Sequence, residues 1–182
     1  MKHFKIYAFG LALLSSLTLP GCRPPDPVDY VDLDRYLGTW YEIASFPQSF
    51  QRDCVGTTAT YEPHPNREGE ILVTNACYKG SFDGELDVQQ ARAVVVDPEK
   101  NSVFKVYFSF FPGQYRIIDL DTPPEGEPYR WAVVGSSTMG FLWILSRQPT
   151  LDDAVLDGIL ERLEGWGYDL DNLNFTEQPL DA

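Results

Sequence analysis

An all-β fold, an eight-stranded up-and-down antiparallel barrel with one C-terminal α-helix packed outside it, is what this sequence predicts, on three observations. Eight short runs rich in β-branched and aromatic residues follow one another from Gly38 to Ser146, separated by turn residues. Most connections are short, which suits sequential antiparallel neighbours, and closing such a sheet on itself removes its exposed edges. The hydrophobic period then changes once, after Pro149, from strand-like to helical.

The strands are expected near 39–46, 55–62, 70–78, 86–96, 103–110, 114–120, 129–136 and 141–146. Their boundaries carry turn punctuation: Pro63 to Gly69, Lys79 to Gly84, Asp97-Pro98, Phe111-Pro112-Gly113, Thr122 to Pro128 and Thr138 to Gly140. Thr150 is the expected helix cap, with Asp153 completing an acidic variant of the capping box. Val155, Leu156, Ile159, Leu160, Leu163 and Trp166 form one apolar stripe at helical spacing, and Asp152, Asp157, Glu161 and Glu164 the opposite face. An acidic polar face argues against a membrane-surface helix and for one laid on the barrel.

The chain ahead of the barrel has a different character. Lys2 and Lys5 precede an uncharged apolar stretch, Ile6 to Leu19, shorter than the roughly 20 residues of a membrane span. It ends in Leu19-Pro20-Gly21-Cys22, which resembles the lipobox of bacterial lipoproteins. The resemblance implies a signal peptide over 1–21, cut before Cys22, and lipidation of the Cys22 thiol. Arg23-Pro24-Pro25-Asp26-Pro27 suits neither helix nor sheet interior. Residues 22–31 are therefore expected as lipidated cysteine and Pro-rich tether, and 32–182 as the barrel domain. In Gram-negative lipoproteins an Asp directly after the lipidated cysteine favours inner-membrane retention. Arg23 stands there, so the resemblance implies the outer membrane, facing the periplasm.

Composition narrows the function. The net charge is −13, and loss of Lys2 and Lys5 would bring it to about −15. Such a charge disfavours nucleic acid and direct adhesion to anionic headgroups, so membrane contact is expected through the N-terminal lipid. Aromatic residues make up 14% of the chain, enough for a large core or an apolar cavity. With Cys22 assigned to lipid, Cys54 and Cys77 remain, and export to an oxidising compartment makes a disulfide between them the economical reading. Zinc needs about four ligands, whereas these two cysteines and His64 are all that the exported chain offers; neither metal nor cofactor is expected.

The motifs carry a family resemblance. Tyr36-Leu37-Gly38-Thr39-Trp40-Tyr41-Glu42-Ile43-Ala44 resembles the first signature of the lipocalins, a Gly-x-Trp where a helical turn enters the first strand. Leu142-Trp143-Ile144-Leu145-Ser146-Arg147 resembles the third, at the end of the eighth strand. Ile118-Asp119-Leu120-Asp121 with Tyr129-Arg130 resembles the second, interrupted by Thr122 to Glu127, which reads as an insertion. The likeness runs from Asp32 to Phe175, and is greatest to bacterial outer-membrane lipoprotein lipocalins, with plant temperature-induced lipocalins and apolipoprotein D as relatives. It implies that Gly38 permits the tight turn, that Trp40 plugs the closed end, and that Arg147 lies across the Trp40 ring.

The resemblance also implies a ligand site. Thr58-Ala59-Thr60-Tyr61 and Leu72-Val73-Thr74-Asn75 match stretches whose last residue lines the cavity in apolipoprotein D, giving Tyr61 and Asn75, and Trp143 matches a pocket tryptophan. Phe108 and Tyr115 join them from the fifth and sixth strands. If Tyr61, Asn75 and Cys77 face inward, strict alternation turns Cys54 outward, so the disulfide requires a bulge or a place for Cys54 in the preceding loop. The implied ligand is a fatty acid or lysophospholipid, bound reversibly for storage, transport or repair in the envelope; a homodimer is compatible with this. Two alternatives stand beside it: a lipocalin-fold enzyme acting on a lipid, and a structural lipoprotein with a filled barrel. The chain lacks a Gly-x-Ser-x-Gly elbow and a phosphate loop, and His64 sits in a Pro-His-Pro turn, so no catalytic residue is assigned.

Overall fold

A computed structural model describes residues 23–108 and 112–179; Cys22 and the signal-like stretch lie outside the described residues. The elements are α1 (Leu33–Tyr36), β1 (Gly38–Ser45), a 3-10 turn (Ser49–Gln51), β2 (Cys54–Pro63), β3 (Glu70–Lys79), β4 (Leu86–Val95), β5 (Val103–Tyr107), β6 (Gly113–Leu120), β7 (Trp131–Gly135), β8 (Leu142–Ser146), α2 (Asp153–Gly165), a second 3-10 turn (Leu170–Asn172) and β9 (Asn174–Phe175). Consecutive strands pair from β2 to β8, β8 pairs with β1, and β1 returns to β2, closing an eight-stranded barrel; β9 adds to the edge of β1. Strand five runs from Val103 to Tyr107, the expected 109–110 lying outside the described residues, and strand seven begins at Trp131 rather than 129, because Tyr129 and Arg130 are held in the preceding loop by contacts of their own.

Two apolar layers follow from strand alternation. The inner one gathers Trp40, Tyr61, Val73, Ala91, Phe104 and Ile117 with α1 beneath them. The outer one lies under α2, where Ile159 and Leu163 are fully buried against Ile43, Ile118, Val133, Leu142 and Ile144. A bulge between Ile117 and Asp119 sends Ile118 outward to the helix. Arg162 fastens the helix through Asp119, Nε to Oδ2 2.7 Å.

The helix cap is Asp152, not Thr150. Its Oδ1 accepts the N–H groups of Ala154 and Val155, while the Thr150 carbonyl is occupied by the Ser146 hydroxyl. A carboxylate is the stronger acceptor at the positive end of a helix. Leu151 and Leu156, flanking the cap, both pack on the outer layer, a hydrophobic staple that fixes the start there.

The N-terminal segment is docked as well. Val31 is completely buried and donates its N–H to the Lys100 carbonyl in the β4–β5 turn, and Val28 donates to the Ile117 carbonyl. The folded part therefore begins before α1, at Val28.

Candidate functional site

The barrel is shut at the end where α1 enters. Asp32 caps α1 through Asp34 and Arg35 N–H groups, and Gly38 then turns into β1 at φ +98°, a left-handed value suited to glycine. Trp40, fully buried, donates its indole N–H to the Tyr36 carbonyl. Arg147 lies over its ring, Cζ 3.8 Å from the centroid, and donates to the carbonyls of Arg35, Tyr36, Leu37, Thr39 and Tyr129. Beside them, Asp121 is buried in a forked ion pair with Arg130 (2.7 and 2.9 Å). Burial pulls the Asp121 carboxyl toward higher pKa, but the Arg130 side-chain and backbone hydrogen bonds outweigh it and leave the group below the usual carboxylate value.

Above the tryptophan sits a floor of phenols. The Tyr115 hydroxyl is 2.6 Å from that of Tyr36 and 2.9 Å from that of Tyr61, which donates to it. Phe104 stacks on Tyr115 with ring centroids 5.3 Å apart. Desolvation raises all three pKa values, Tyr61 to about 12 despite the opposing effect of its hydrogen bond to Tyr115 and the field of Arg147. The floor is thus polar but uncharged at neutral pH.

A cavity of about 490 Å³ rises from this floor to an open mouth, within the ~300–1,000 Å³ range of ligand pockets. Tyr61, Asn75, Phe108, Tyr115 and Trp143, the five residues marked in the sequence, all line it. Tyr61 and Tyr115 are at the floor, Asn75 and Trp143 on the walls, and Phe108 is 52% exposed at the rim with Phe141, which stacks on Trp143. A second recess of about 460 Å³ shares Gln51, Thr57, Asn75 and Phe108 with it and runs past the disulfide toward Asp87 and Gln89.

Cys54 and Cys77 are joined, with Cα atoms 5.5 Å apart. The β2–β3 register shifts by one residue between Val55 and Thr58, with Gly56 in the left-handed region at φ +61°. That bulge supplies the change of face that alternation demanded of Cys54.

The sequence reading missed a polar group in the wall. Glu42, 6% exposed, accepts from Ser45 Oγ (3.0 Å), Gln51 Nε2 (2.7 Å) and Thr176 Oγ1 (2.6 Å), and Gln51 in turn accepts from the Trp143 indole at 3.4 Å. Its signal was available: Glu42 follows Trp40 by two residues, and so shares its inward face. The C-terminal segment that supports it had no signal. β1 pairs with β2 only from Gly38 to Tyr41; above that the two strands part, and residues 174–178 fill the seam. Thr176 donates to the Ile43 carbonyl, Gly56 to Glu177, and the Gln178 amide to the Glu42 and Thr57 carbonyls. His64 lies elsewhere, in the β2–β3 turn at the closed end, where its Nδ1 accepts from the Asn66 N–H. Among the described residues no group of His, Cys, Asp and Glu could hold a metal ion.

Comparison with known proteins places this architecture. The profile of a family described as a lipocalin-like domain matches residues 31–178. The chain is 33% identical to the outer membrane lipoprotein Blc of Vibrio cholerae over 91% of its own length and 96% of that protein's. It is 32% identical to temperature-induced lipocalin-1 of Arabidopsis thaliana, covering 81% of this chain and 80% of the other. Among solved structures, the cockroach allergen Per a 4 superposes with a TM-score of 0.64 at 22% identity, covering 87% of this chain and 95% of that one, a likeness of fold.

Proposed function

Because the chain belongs to the lipocalin family, we propose that it is an envelope lipoprotein that takes up one long-chain amphiphile, a fatty acid or lysophospholipid, reversibly in its barrel. The observation that carries the reading is the cavity: closed below by Trp40 and the phenol floor, open above, and presenting a largely apolar surface to its interior although polar residues alternate in the wall. Each methylene brought into such a space contributes about 0.8 kcal/mol, so an acyl chain supplies the driving force and polar groups of the wall orient its head. Tyr61, Asn75, Phe108, Tyr115 and Trp143 are the contact residues in this reading. Residues 1–21 act as the export signal, Cys22 carries the lipid, and the short segment after it links anchor to barrel. The lipobox-like Cys22, Arg23 and the likeness to proteins named outer membrane lipoproteins support the outer membrane as its site. Storage, transport or repair of envelope lipids would each use such a carrier.

Uptake rather than turnover is the chemistry this lining favours. The candidate residues supply hydrogen-bonding and apolar contacts, and His64 stands outside the cavity. The test is titration of the purified protein with a fluorescent acyl probe. One probe per chain, released by unlabelled amphiphile without chemical change, is expected. Absence of uptake, or conversion of a lipid ester over many turnovers, would refute the carrier.

A further inference from the structure

The cavity wall carries an electrostatic bias. Among the described residues, the two recesses are lined by two carboxylates, Glu42 and Asp87, and by no lysine, arginine or histidine. Ser109, Phe110 and Phe111, which lie outside the described residues, carry no charge by sequence. Asp87 has its own cation, Lys79 Nζ at 3.2 Å. Glu42 has none: its oxygens accept from a serine, a threonine and a glutamine, all uncharged. Three such bonds leave about one of the four acceptor positions of a carboxylate unused.

A second observation points into the same place. Thr57, 6% exposed and part of the lining of both recesses, has an Oγ1 with no hydrogen-bond partner among the described residues. Buried hydroxyls are normally satisfied. The wall therefore combines a carboxyl group with no cation beside it among the described residues and a buried hydroxyl with no partner, the two strands joined through the Gln178 amide, next to a space from which water would be displaced by an acyl chain. An anion placed there meets Glu42 at short range in a poorly screened setting, whereas an ammonium supplies the missing charge and a donor for the unused carboxylate position; the Thr57 hydroxyl could serve either head.

We propose that this cavity selects amphiphiles with an ammonium head over those with a carboxylate head, and that Glu42 is the residue that makes the selection. The proposal rests on the carrier reading, and narrows it to amine-bearing ligands. The phenol floor is the competing seat for an anionic head. Its three hydroxyls hold three hydrogens, of which their two mutual contacts engage two.

Three probes with one tail test it: dodecylamine, dodecanol and dodecanoate, each displacing a neutral fluorescent acyl probe from the purified full-length protein at pH 7. Dodecylamine is expected to bind at least tenfold more tightly than dodecanoate. In Glu42→Gln that ratio should fall to near one while dodecanol affinity stays within twofold. A glutamine can still accept from Ser45 and Thr176, so dodecanol reports an intact cavity. Equal or tighter binding of dodecanoate by the unaltered protein overturns the proposal and moves the head to the phenol floor. A ratio unchanged in Glu42→Gln also overturns it. Loss of dodecanol binding in that variant assigns Glu42 to the fold rather than to selection, and overturns the proposal too. If none of the three binds the unaltered protein, the carrier reading fails, and the proposal fails with it.

Discussion

Replacing Arg147 by alanine is expected to destabilise the barrel by about 3–5 kcal/mol, the range for breaking a partly buried charge network on one side. The figure can be built from contacts. The guanidinium donates to five carbonyls, at 2.7 Å to Leu37 and Thr39, 2.9 Å to Tyr36, 3.1 Å to Arg35 and 3.3 Å to Tyr129. Those of Arg35, Tyr36 and Leu37 are the end of α1, where a helix leaves its carbonyls without internal partners. The Tyr36 carbonyl keeps the Trp40 indole N–H; each of the others left buried and unpaired costs about 1–3 kcal/mol, and water reaching the outer ones keeps the sum at the lower end. Loss of the contact with Trp40 adds roughly 0.5–2 kcal/mol. Chemical denaturation with tryptophan fluorescence measures the total; for a domain of this size the melting temperature should fall on the order of 10 °C. Arg147→Lys is the informative control. An ammonium keeps the charge over the ring but cannot fork to five acceptors, so about half the loss should remain. An alanine variant within 1 kcal/mol of the unaltered protein, or a lysine variant as stable as arginine, would refute the view that this side chain terminates α1.

Further outcomes are expected. Replacing Cys54 and Cys77 together by alanine should cost about 3 kcal/mol from the loop they close, 23 residues apart, read by urea denaturation. Tyr115→Phe strips Tyr36 and Tyr61 of their shared hydroxyl partner and should cost about 1–3 kcal/mol. In the unaltered protein these phenols stay protonated while unfolded tyrosines ionise near pH 10. Their contribution is therefore complete below pH 10 and is lost as pH rises toward the folded values, which stability measured across pH 9–12 will reveal. Asp121→Asn should cost about 1–2 kcal/mol at pH 7, a modest figure because Arg130 is largely exposed; since the Asp121 pKa is lowered, the difference should be present above about pH 4 and vanish as pH falls below the folded value. Shortening an alkanol ligand by two methylenes should weaken binding roughly tenfold, at about 0.8 kcal/mol each; a flat series would mean that the tail stays outside the barrel.

The sequence made the barrel legible because alternation and turn residues repeat eight times, and because Gly38, Trp40 and Arg147 mark its closed end. The five lining residues were found by motif and by strand. What escaped was set by local contest or by distance. Thr150 and Asp152 are both competent caps, and only the packing of Leu151 and Leu156 chooses between them. The bulge that turns Cys54 follows from Gly56, whose left-handed backbone a strand pattern does not encode. Two residues of β9 have no period, and the place of Gln178 depends on how β1 and β2 diverge more than a hundred residues earlier. The inward face of Glu42 is readable from its spacing after Trp40, but its partner Thr176 lies 134 residues away and has no local signal.

The docking of Val28 and Val31 beneath the barrel has a consequence for posture. Val28 stands six positions after Cys22, a reach of about 20 Å at full stretch. The ten residues of β2 span about 33 Å along the strand, or roughly 25 Å of height at the usual strand tilt of 35–45°. An acylated Cys22 would keep the sealed base within that reach of its leaflet, too near for the barrel to stand fully inverted with the rim of Phe108 and Phe141 against the same leaflet.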